Sequence, residues 1–324
     1  MKYLVTGGAG YIGSHIVRRL CSSPLTAQAG RRRAEVAVLD NLSVGSRENV
    51  PRACRFLRGD INDPAALKRA LAGVNVVFHL AAFVSIRGSF DRPDDDLRDN
   101  CQGSLAVLRA AGEHGVRTVV FASSMGVYGE PARAPISEQD PAAPVSPYGL
   151  SKLRGEMYGR TFAKKYGYSF IALRYFNTYG VGQTPSDYVG VITSFVNMAL
   201  NGKAMTIHGD GKQTRDFVWV EDVAEASILA AESGAEGAFN IGSGAEVSIN
   251  EVARMIQKCA GGEFVHVPAP GGEVRRMCAD IGRARRDLGF EPRGTIASEL
   301  PAIIEYWRQK KPQGGAPRAP SIRR

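Results

Sequence analysis

The octapeptide TGGAGYIG at residues 6–13 limits the fold more than any other feature of the chain. It follows a short apolar run, Lys2 to Thr6, and opens a stretch of amphipathic helical pattern from about Tyr11 to Cys21. In that setting Gly7, Gly10 and Gly13 serve a tight turn, the approach of backbone to a pyrophosphate, and close helix–strand packing. The helix start offers unpaired N–H groups and the positive end of a dipole to an anion. A strand–loop–helix unit of this kind needs a parallel sheet beside it.

The rest of the chain supplies that sheet. Strands are expected at Glu35–Asp40, Arg55–Gly59, Asn75–Ala81, Thr118–Ser123 and Ser169–Arg174. Between them fall a helix capped by Asp63 with Pro64 at its first position, a long helix from about Pro93 to His114, and another from about Ser146 to Tyr166. The alternation predicts an α/β Rossmann fold with a doubly wound parallel sheet. After Tyr175 the pattern loosens, through GVGQTPSDYVG and HGDGKQTRDF, and Val220 to Phe239 then returns to helix and strand. Ser248 and Glu251 form a capping box for a further helix. The expected division is a dinucleotide-binding domain from 1–178 and 217–245, a smaller, discontinuous α/β substrate domain from 179–216 and 246–312, and a disordered tail at 313–324.

An acidic residue about 20 positions after the glycines would hold the adenosine ribose. Asp40 ends the second strand but lies 27 residues after Gly13, and a surface insertion from Ser22 to Arg33 accounts for the excess. A carboxylate there accepts hydrogen bonds from a ribose diol and repels a 2′-phosphate, so NAD is expected rather than NADP. The formal charge of +9 is concentrated in the tail, where Lys310 to Arg324 carries five basic residues and no acidic one, and in Arg31, Arg32 and Arg33. No nucleic-acid recognition motif accompanies these charges, so no nucleic-acid partner is expected. The five cysteines, at 21, 54, 101, 259 and 278, form no CxxC pair and have no histidine at zinc spacing. Reduced thiols, no metal and a cytoplasmic location are expected. No apolar run approaches 18 residues, so no membrane span is expected.

Tyr148 and Lys152 stand four apart at a helix start, which puts both on one face. A tyrosine of ordinary acidity, near 10, is too weak a base at neutral pH. A nearby ammonium and a cationic nicotinamide both favour phenolate, so the Tyr148 pKa is expected to fall. Ser124 lies directly after the fifth strand, twenty-four residues before Tyr148, while Ser123 is expected to pack against backbone.

The segments TGGAGYIGSH, VLDNLSVGS, GDIND, HLAA, SPYGLSK, LRYFNTYG and GDGKQTRDFVWVEDVAEA occur in that order. Together they resemble the nucleotide-sugar epimerase and dehydratase family of extended short-chain dehydrogenases, and most of all its 4-epimerases, over about residues 1–309. The resemblance implies that the backbone N–H groups of Tyr11 and Ile12 meet the pyrophosphate. It places Asp40 and Asn41 at the adenosine end, Asp60 and Ile61 about the adenine, and Leu80, Ala81 and Ala82 along the cofactor. Asn100 would orient backbone near the site, and Tyr175 and Phe176 would flank the nicotinamide. On the sugar-nucleotide side it implies Asn177 near the sugar diphosphate, Arg215 on the diphosphate, His208 against the uracil, Gln213 as a further contact and Glu273 on the nucleotide ribose. The family often has an arginine two residues before a Gly-Asp or Gly-Glu pair. Here that position is Pro270, ahead of Gly272-Glu273, and Arg275 or Arg276 is the expected substitute. Met277 falls where room beside the sugar ring is set.

The implied chemistry is an NAD-dependent 4-epimerisation of a UDP-hexose, with acceptance of N-acetylated and uronate sugars left open by the sequence. Carbon 4 is oxidised, the 4-keto sugar rotates, and it is reduced again, with Tyr148 as base, Lys152 as its support and Ser124 on the reacting hydroxyl. A homodimer is a family expectation. Two alternatives stand beside this: a 4,6-dehydratase or decarboxylase on the same scaffold, and a non-catalytic NAD-binding regulator. The intact trio argues against the regulator. Eliminating relatives carry acids directly after the site serine or threonine, whereas here those positions are Met125 and Gly126. Glu130 is the nearest acid in sequence.

Overall fold

The computed structural model describes residues 1–22, 34–183, 190–269 and 274–310. In chain order its first half runs β1 (Lys2–Thr6), α1 (Tyr11–Ser22), β2 (Glu35–Asp40), β3 (Arg55–Arg58), α2 (Pro64–Leu71), β4 (Val76–His79), α3 (Gly88–Asp91), α4 (Pro93–Asp96) and α5 (Ser104–Glu113). There follow β5 (Thr118–Ser124), α6 (Pro147–Tyr166), β6 (Ser169–Tyr175), β7 (Asn177–Tyr179), α7 (Val191–Leu200), β8 (Met205–His208), β9 (Thr214–Arg215) and β10 (Phe217–Trp219). The last elements are α8 (Val220–Ser233), β11 (Gly237–Ile241), β12 (Val247–Ser248), α9 (Ile249–Ala260), β13 (Phe264–Val267), α10 (Gly282–Leu288) and α11 (Ile296–Gln309).

Seven strands form one parallel sheet in the order β11-β6-β5-β4-β1-β2-β3. Their sequences are near-continuous apolar runs because both faces are covered: Leu4, Val5, Val38, Leu39, Val77, Phe78 and Val119 are all fully buried. Ile16 and Val17 of α1, Val223 and Ala224 of α8, and Ala284 and Leu288 of α10 close one face. Leu67 and Leu71 of α2 and Val107 and Leu108 of α5 close the other. The fold is therefore a doubly wound Rossmann sheet, with the βα loops along its C-terminal edge. A second core lies beyond it, built from Ile192, Phe195 and Val196 of α7, Val252 and Ile256 of α9, and Leu300 and Ile303 of α11.

Helix α6 sits unusually close to the sheet. A Cβ at Gly155 would come within 2.3 Å of the Phe121 ring, and one at Gly159 within 2.0 Å of the Phe170 ring. Only glycine allows that approach, and it fixes the helix that carries Tyr148 and Lys152 directly over β5 and β6. The caps anticipated for α2 and α9 are present: Asp63 accepts from Ala65 N–H at 2.8 Å, and Ser248 with Glu251 forms a full capping box.

The single long helix expected from Pro93 to His114 is not continuous. It is split into α4, a π-helical stretch at Leu97–Gly103, and α5. The wide turn contains Asn100, whose side chain is held by the backbone of Phe83, and ends at Gly103, where a Cβ would lie 2.4 Å from Ile61 Cδ1. Among the described residues no helix is long and apolar enough to cross a membrane. The expected insertion at 22–33, apart from Ser22, and the tail at 313–324 lie outside the described residues.

Candidate active site

The glycine loop joins β1 to α1. Gly7 takes φ +70°, and a Cβ there would come within 2.7 Å of Ala81 N; one at Gly13 would come within 2.2 Å of Gly7 O. These two glycines are required by the protein's own packing. A Cβ at Gly10 would meet only Gly7 O, at 3.2 Å, and otherwise faces open space. That opening is what close approach of a pyrophosphate to the loop requires, so the residues present fit a dinucleotide. The first bond into α1 is Ser14 N–H to Gly10 O at 3.1 Å, leaving the N–H groups of Tyr11 and Ile12 ahead of it, and the first turn carries no acid to compete with an anion.

Of the residues expected along the cofactor, Asp40, Leu80 and Ala81 contact this loop or the end of β1 that leads into it. Asp40 is buried, and its two carboxylate oxygens accept from Ala9 N–H at 2.9 Å and Leu42 N–H at 2.8 Å. Asn41 donates to Asp60 at 3.1 Å, and Asp60 also accepts from Asn62 N–H at 2.8 Å. Although burial opposes it, the hydrogen bonds from Asn62 and Asn41 hold the Asp60 carboxyl below its usual range. Ile61 is buried in the core under α2. Leu80 N–H donates to Thr6 O at 3.1 Å and Ala81 N–H to Thr6 Oγ1 at 3.3 Å, which ties the end of β4 to the start of the loop, with Ala82 next in the chain. The Asn100 side-chain amide pairs both ways with the Phe83 backbone, at 2.8 and 2.9 Å. The Tyr175 ring packs in the core, its hydroxyl 2.9 Å from Ser227 Oγ of α8, and Phe176 packs with Tyr128, Ile136 and Met277.

Ser124, Tyr148 and Lys152 converge at the C-terminal edge of β5. Ser146 caps α6 by accepting from Gly149 N–H at 3.1 Å, and Tyr148 N–H donates to the buried Ser89 Oγ at 3.1 Å, so the phenol is set from both sides. The Ser124 hydroxyl accepts from Gly126 N–H at 3.1 Å and hydrogen-bonds the Tyr148 phenol. Lys152 Nζ donates to Ala122 O at 3.0 Å and stands 5.7 Å from the centre of the Tyr148 ring. Burial pulls the Lys152 ammonium down to about 8, while the Asp96 carboxylate works the other way.

The expected fall in the Tyr148 pKa does not occur in the protein by itself. Burial pushes the phenol up to about 12, and only the Ser124 hydrogen bond opposes it. Counting neighbouring charges left out desolvation, which is the larger effect here. Ser123 likewise does not pack against backbone: its hydroxyl donates to Glu156 Oε1 at 2.6 Å.

That bond belongs to a network absent from the sequence reading. Glu156, fully buried on α6, accepts from Arg174 Nε at 2.9 Å and Nη2 at 2.8 Å. Arg174 Nη1 donates to Tyr128 Oη at 2.8 Å, and Tyr128 donates to Asn240 of β11 at 2.6 Å. A second missed group is Asp96, buried and accepting from Asn100 Nδ2 at 2.7 Å and Ser151 Oγ at 3.2 Å, with its carboxyl raised by burial. His79 lies under the site between Thr6 Oγ1 (2.8 Å) and Ser104 Oγ (3.1 Å), and burial lowers its pKa to about 3, so the ring is neutral.

A cavity of about 170 Å³ opens beside this edge, lined by Asn177, Val191, Phe195, Thr206, His208, Gln213, Arg215 and Ile249. It brings Asn177, His208, Gln213 and Arg215 together across residues far apart in sequence. Asn177 Oδ1 is buried with no hydrogen-bond partner among the described residues. Gln213 donates to His208 O at 2.9 Å, and Arg215 Nη1 is held by Thr214 O (2.8 Å) and Val274 O (2.9 Å). Arg276 does not line the cavity; it forms a two-pronged ion pair with Glu246, and Arg275 pairs with Asp210. Glu273 lies outside the described residues.

With a dinucleotide cradle, a Ser-Tyr-Lys cluster and a polar cleft on one edge, the relatives of the chain can be stated. The model of the NAD dependent epimerase/dehydratase family matches residues 3–242. The chain belongs to that family. As a member of the epimerase/dehydratase family it uses NAD. Among curated relatives, a putative UDP-glucose 4-epimerase of Methanocaldococcus jannaschii is 38% identical, over 94% of this chain and 98% of that one. Among solved structures, a UDP-glucose 4-epimerase from Thermotoga maritima, with UDP-glucose, superposes with a TM-score of 0.88 at 37% identity, over 96% and 99% of the two chains. A dTDP-glucose 4,6-dehydratase from Streptomyces venezuelae, solved with NAD, gives 0.87 at 32%, over 95% and 97%.

Proposed function

We propose that this family member is a UDP-hexose 4-epimerase. The observation that carries the reading is the convergence of Ser124, Tyr148 and Lys152 beside the dinucleotide cradle, with no acid in the two positions that follow Ser124. A side chain at Gly126 would stand 3.4 Å from Ser124 Oγ and 3.7 Å from the Tyr148 ring. An acid there would reach the reacting groups, as loss of water from carbon 6 needs; glycine supplies none, and Met125 has no proton to give. Glu130 is exposed beyond the turn.

Bound NAD supplies the hydride acceptor and donor, and a positive ring that works against the effect of burial on the phenol. The chain does the rest. Tyr148 Oη takes the proton of the sugar 4-hydroxyl and gives it back, Ser124 holds that hydroxyl through a hydrogen bond, and the Lys152 ammonium favours the phenolate. Asp40 selects the unphosphorylated ribose. In the cleft, Arg215 carries the diphosphate charge and His208 faces the base, while the unpaired Asn177 Oδ1 offers an acceptor to the sugar side. Met277, buried beside Phe176, bounds the sugar. The sheet unit forms the cofactor domain and the second core the sugar-nucleotide domain, with Ala284, Leu288 and Phe290 packed on the former. The exposed apolar side chains Phe90, Leu97, Leu150 and Met157, on the packed helices α3 and α6 and the π-helical stretch, are the face through which two copies pair.

The test is the product. Incubated with UDP-galactose, the protein is expected to return a UDP-hexose of unchanged mass with carbon 4 inverted, by mass spectrometry and NMR. A product lighter by one water would overturn the reading.

A further inference from the structure

Two of the five cysteines are brought together by the fold. Cys21 is exposed on the last turn of α1 and Cys54 is buried just before β3, and their sulfurs lie 2.9 Å apart across 33 residues of sequence. Cys101 and Cys278 are buried on other segments, and Cys259 is exposed on the last turn of α9. Both thiols also sit on segments that meet at the glycine loop. Helix α1 starts in that loop. The chain from Asn41 to Cys54 packs on its other side: Ser46 N–H and Asn49 Nδ2 donate to Ala9 O at 3.1 and 2.9 Å, and a Cβ at Gly45 would lie 2.6 Å from the Ala9 carbonyl.

We propose that Cys21 and Cys54 form a dithiol site which a small-molecule disulfide converts into an internal disulfide bracing the cofactor half of the protein. The accessible sulfur, Cys21, attacks the oxidant as thiolate, forming a mixed disulfide and expelling one small thiolate. Cys54 then attacks the Cys21 sulfur, loses its proton and releases the second small thiol. Two protein thiols are thus oxidised by two electrons to one disulfide, and the oxidant is reduced to two thiols. Burial pushes the Cys54 thiol up to about 12, which disfavours its attack on free oxidant, and its place 2.9 Å from the Cys21 sulfur is what supplies the second, intramolecular step. The new bond closes the chain between the helix that opens at the loop and the segment that buttresses it. Its effect on cofactor retention rests on the cofactor site proposed above; its formation does not.

The experiment treats the full chain with oxidised glutathione and measures intact mass, cross-linked peptides, melting temperature and the rate of NAD loss. Expected are a protein lighter by two hydrogen atoms, one cross-link joining Cys21 to Cys54, and Cys101, Cys259 and Cys278 still reduced. Closing a loop of this size should raise the melting midpoint by about 5 °C and slow NAD loss. Cys21→Ser, at an exposed position, should show neither cross-link nor shift. A glutathione adduct that persists on wild-type Cys21, an unreacted dithiol, or a cross-link to another cysteine would overturn the site. A correct cross-link with no change in melting would overturn the bracing.

Discussion

Replacing Glu156 by leucine tests what holds the Tyr148–Lys152 helix to the sheet. The Glu156 carboxylate takes three hydrogen bonds of 2.6 to 2.9 Å, two from Arg174 and one from Ser123, all buried. Glu156→Leu leaves the Arg174 guanidinium inside the protein with only Tyr128 as a partner. Breaking a buried pair from one side costs about 3–5 kcal/mol. With an unfolding entropy of about 2.1 cal/mol/K per residue, the melting midpoint of a chain this long should fall by roughly 4–7 °C. Pairing the change with Arg174→Met removes the stranded charge, and apolar replacement of both partners is often neutral or better. The double variant should therefore regain most of the lost stability. It should not regain turnover. Glu156 lies one helical turn beyond Lys152, and its Ser123 partner is the neighbour of Ser124, so the network sets the spacing of the reacting groups. A misplacement of about 1 Å can cost about 10²-fold in rate. Melting curves and a coupled UDP-galactose assay read the two effects separately. Wild-type kcat in the double variant, or an unmoved midpoint in Glu156→Leu, would refute the positioning argument.

Four further outcomes are expected. Tyr148→Phe should keep the fold and NAD binding and lose about 10²–10⁴-fold in kcat; near-normal turnover would remove Tyr148 from the chemistry. Asp40→Ala should lower the ratio of NAD to NADP affinity, measured by titration, and the ratio is informative because Asp40 also braces Ala9 and Leu42, a loss both cofactors share. Arg215→Ala should raise KM for the sugar nucleotide well above any change in NAD affinity, and equal effects would mean that its grip on Thr214 and Val274 is its main role. Lys152, lowered to about 8, is cationic below that pH and neutral above it, so kcat/KM should fall as pH rises through about 8, and Lys152→Met should abolish that limb.

What could be read from the sequence was local. The glycine loop, the strand runs, the caps at Asp63 and Ser248, and the Tyr148–Lys152 spacing are each written within a few residues, and the structure has all of them. What could not be read depends on topology. Glu156 and Arg174 are 18 residues apart and Tyr128 and Asn240 are 112 apart, so no window of sequence shows them as one network. Asp96 stood among three consecutive aspartates with nothing to mark it as the buried one. The upward pull of burial on the Tyr148 phenol is not legible either, because burial, unlike neighbouring charge, has no sequence signature at a single residue. The break in the long helix was hidden for a related reason: the π-helical turn is held by contacts of Asn100 and Gly103 with Phe83 and Ile61, which belong to other elements.

The outermost strand of the large sheet has a consequence for the protein's birth. β11 pairs with β6, yet about sixty residues separate them, and those residues build much of the second core. At about 5–20 residues per second the ribosome takes roughly 3–12 s to deliver that stretch. Throughout this interval the apolar edge of β6 is complete but has no neighbour, the condition in which strand edges recruit other chains. A nascent molecule therefore exposes, for that interval, an edge of β6 that β11 covers in the finished fold. For the same reason a fragment cut just after Tyr175 retains the cradle, Ser124, Tyr148 and Lys152 but exposes that edge permanently. A fragment that keeps the whole of this β6 edge covered has to include Ile241.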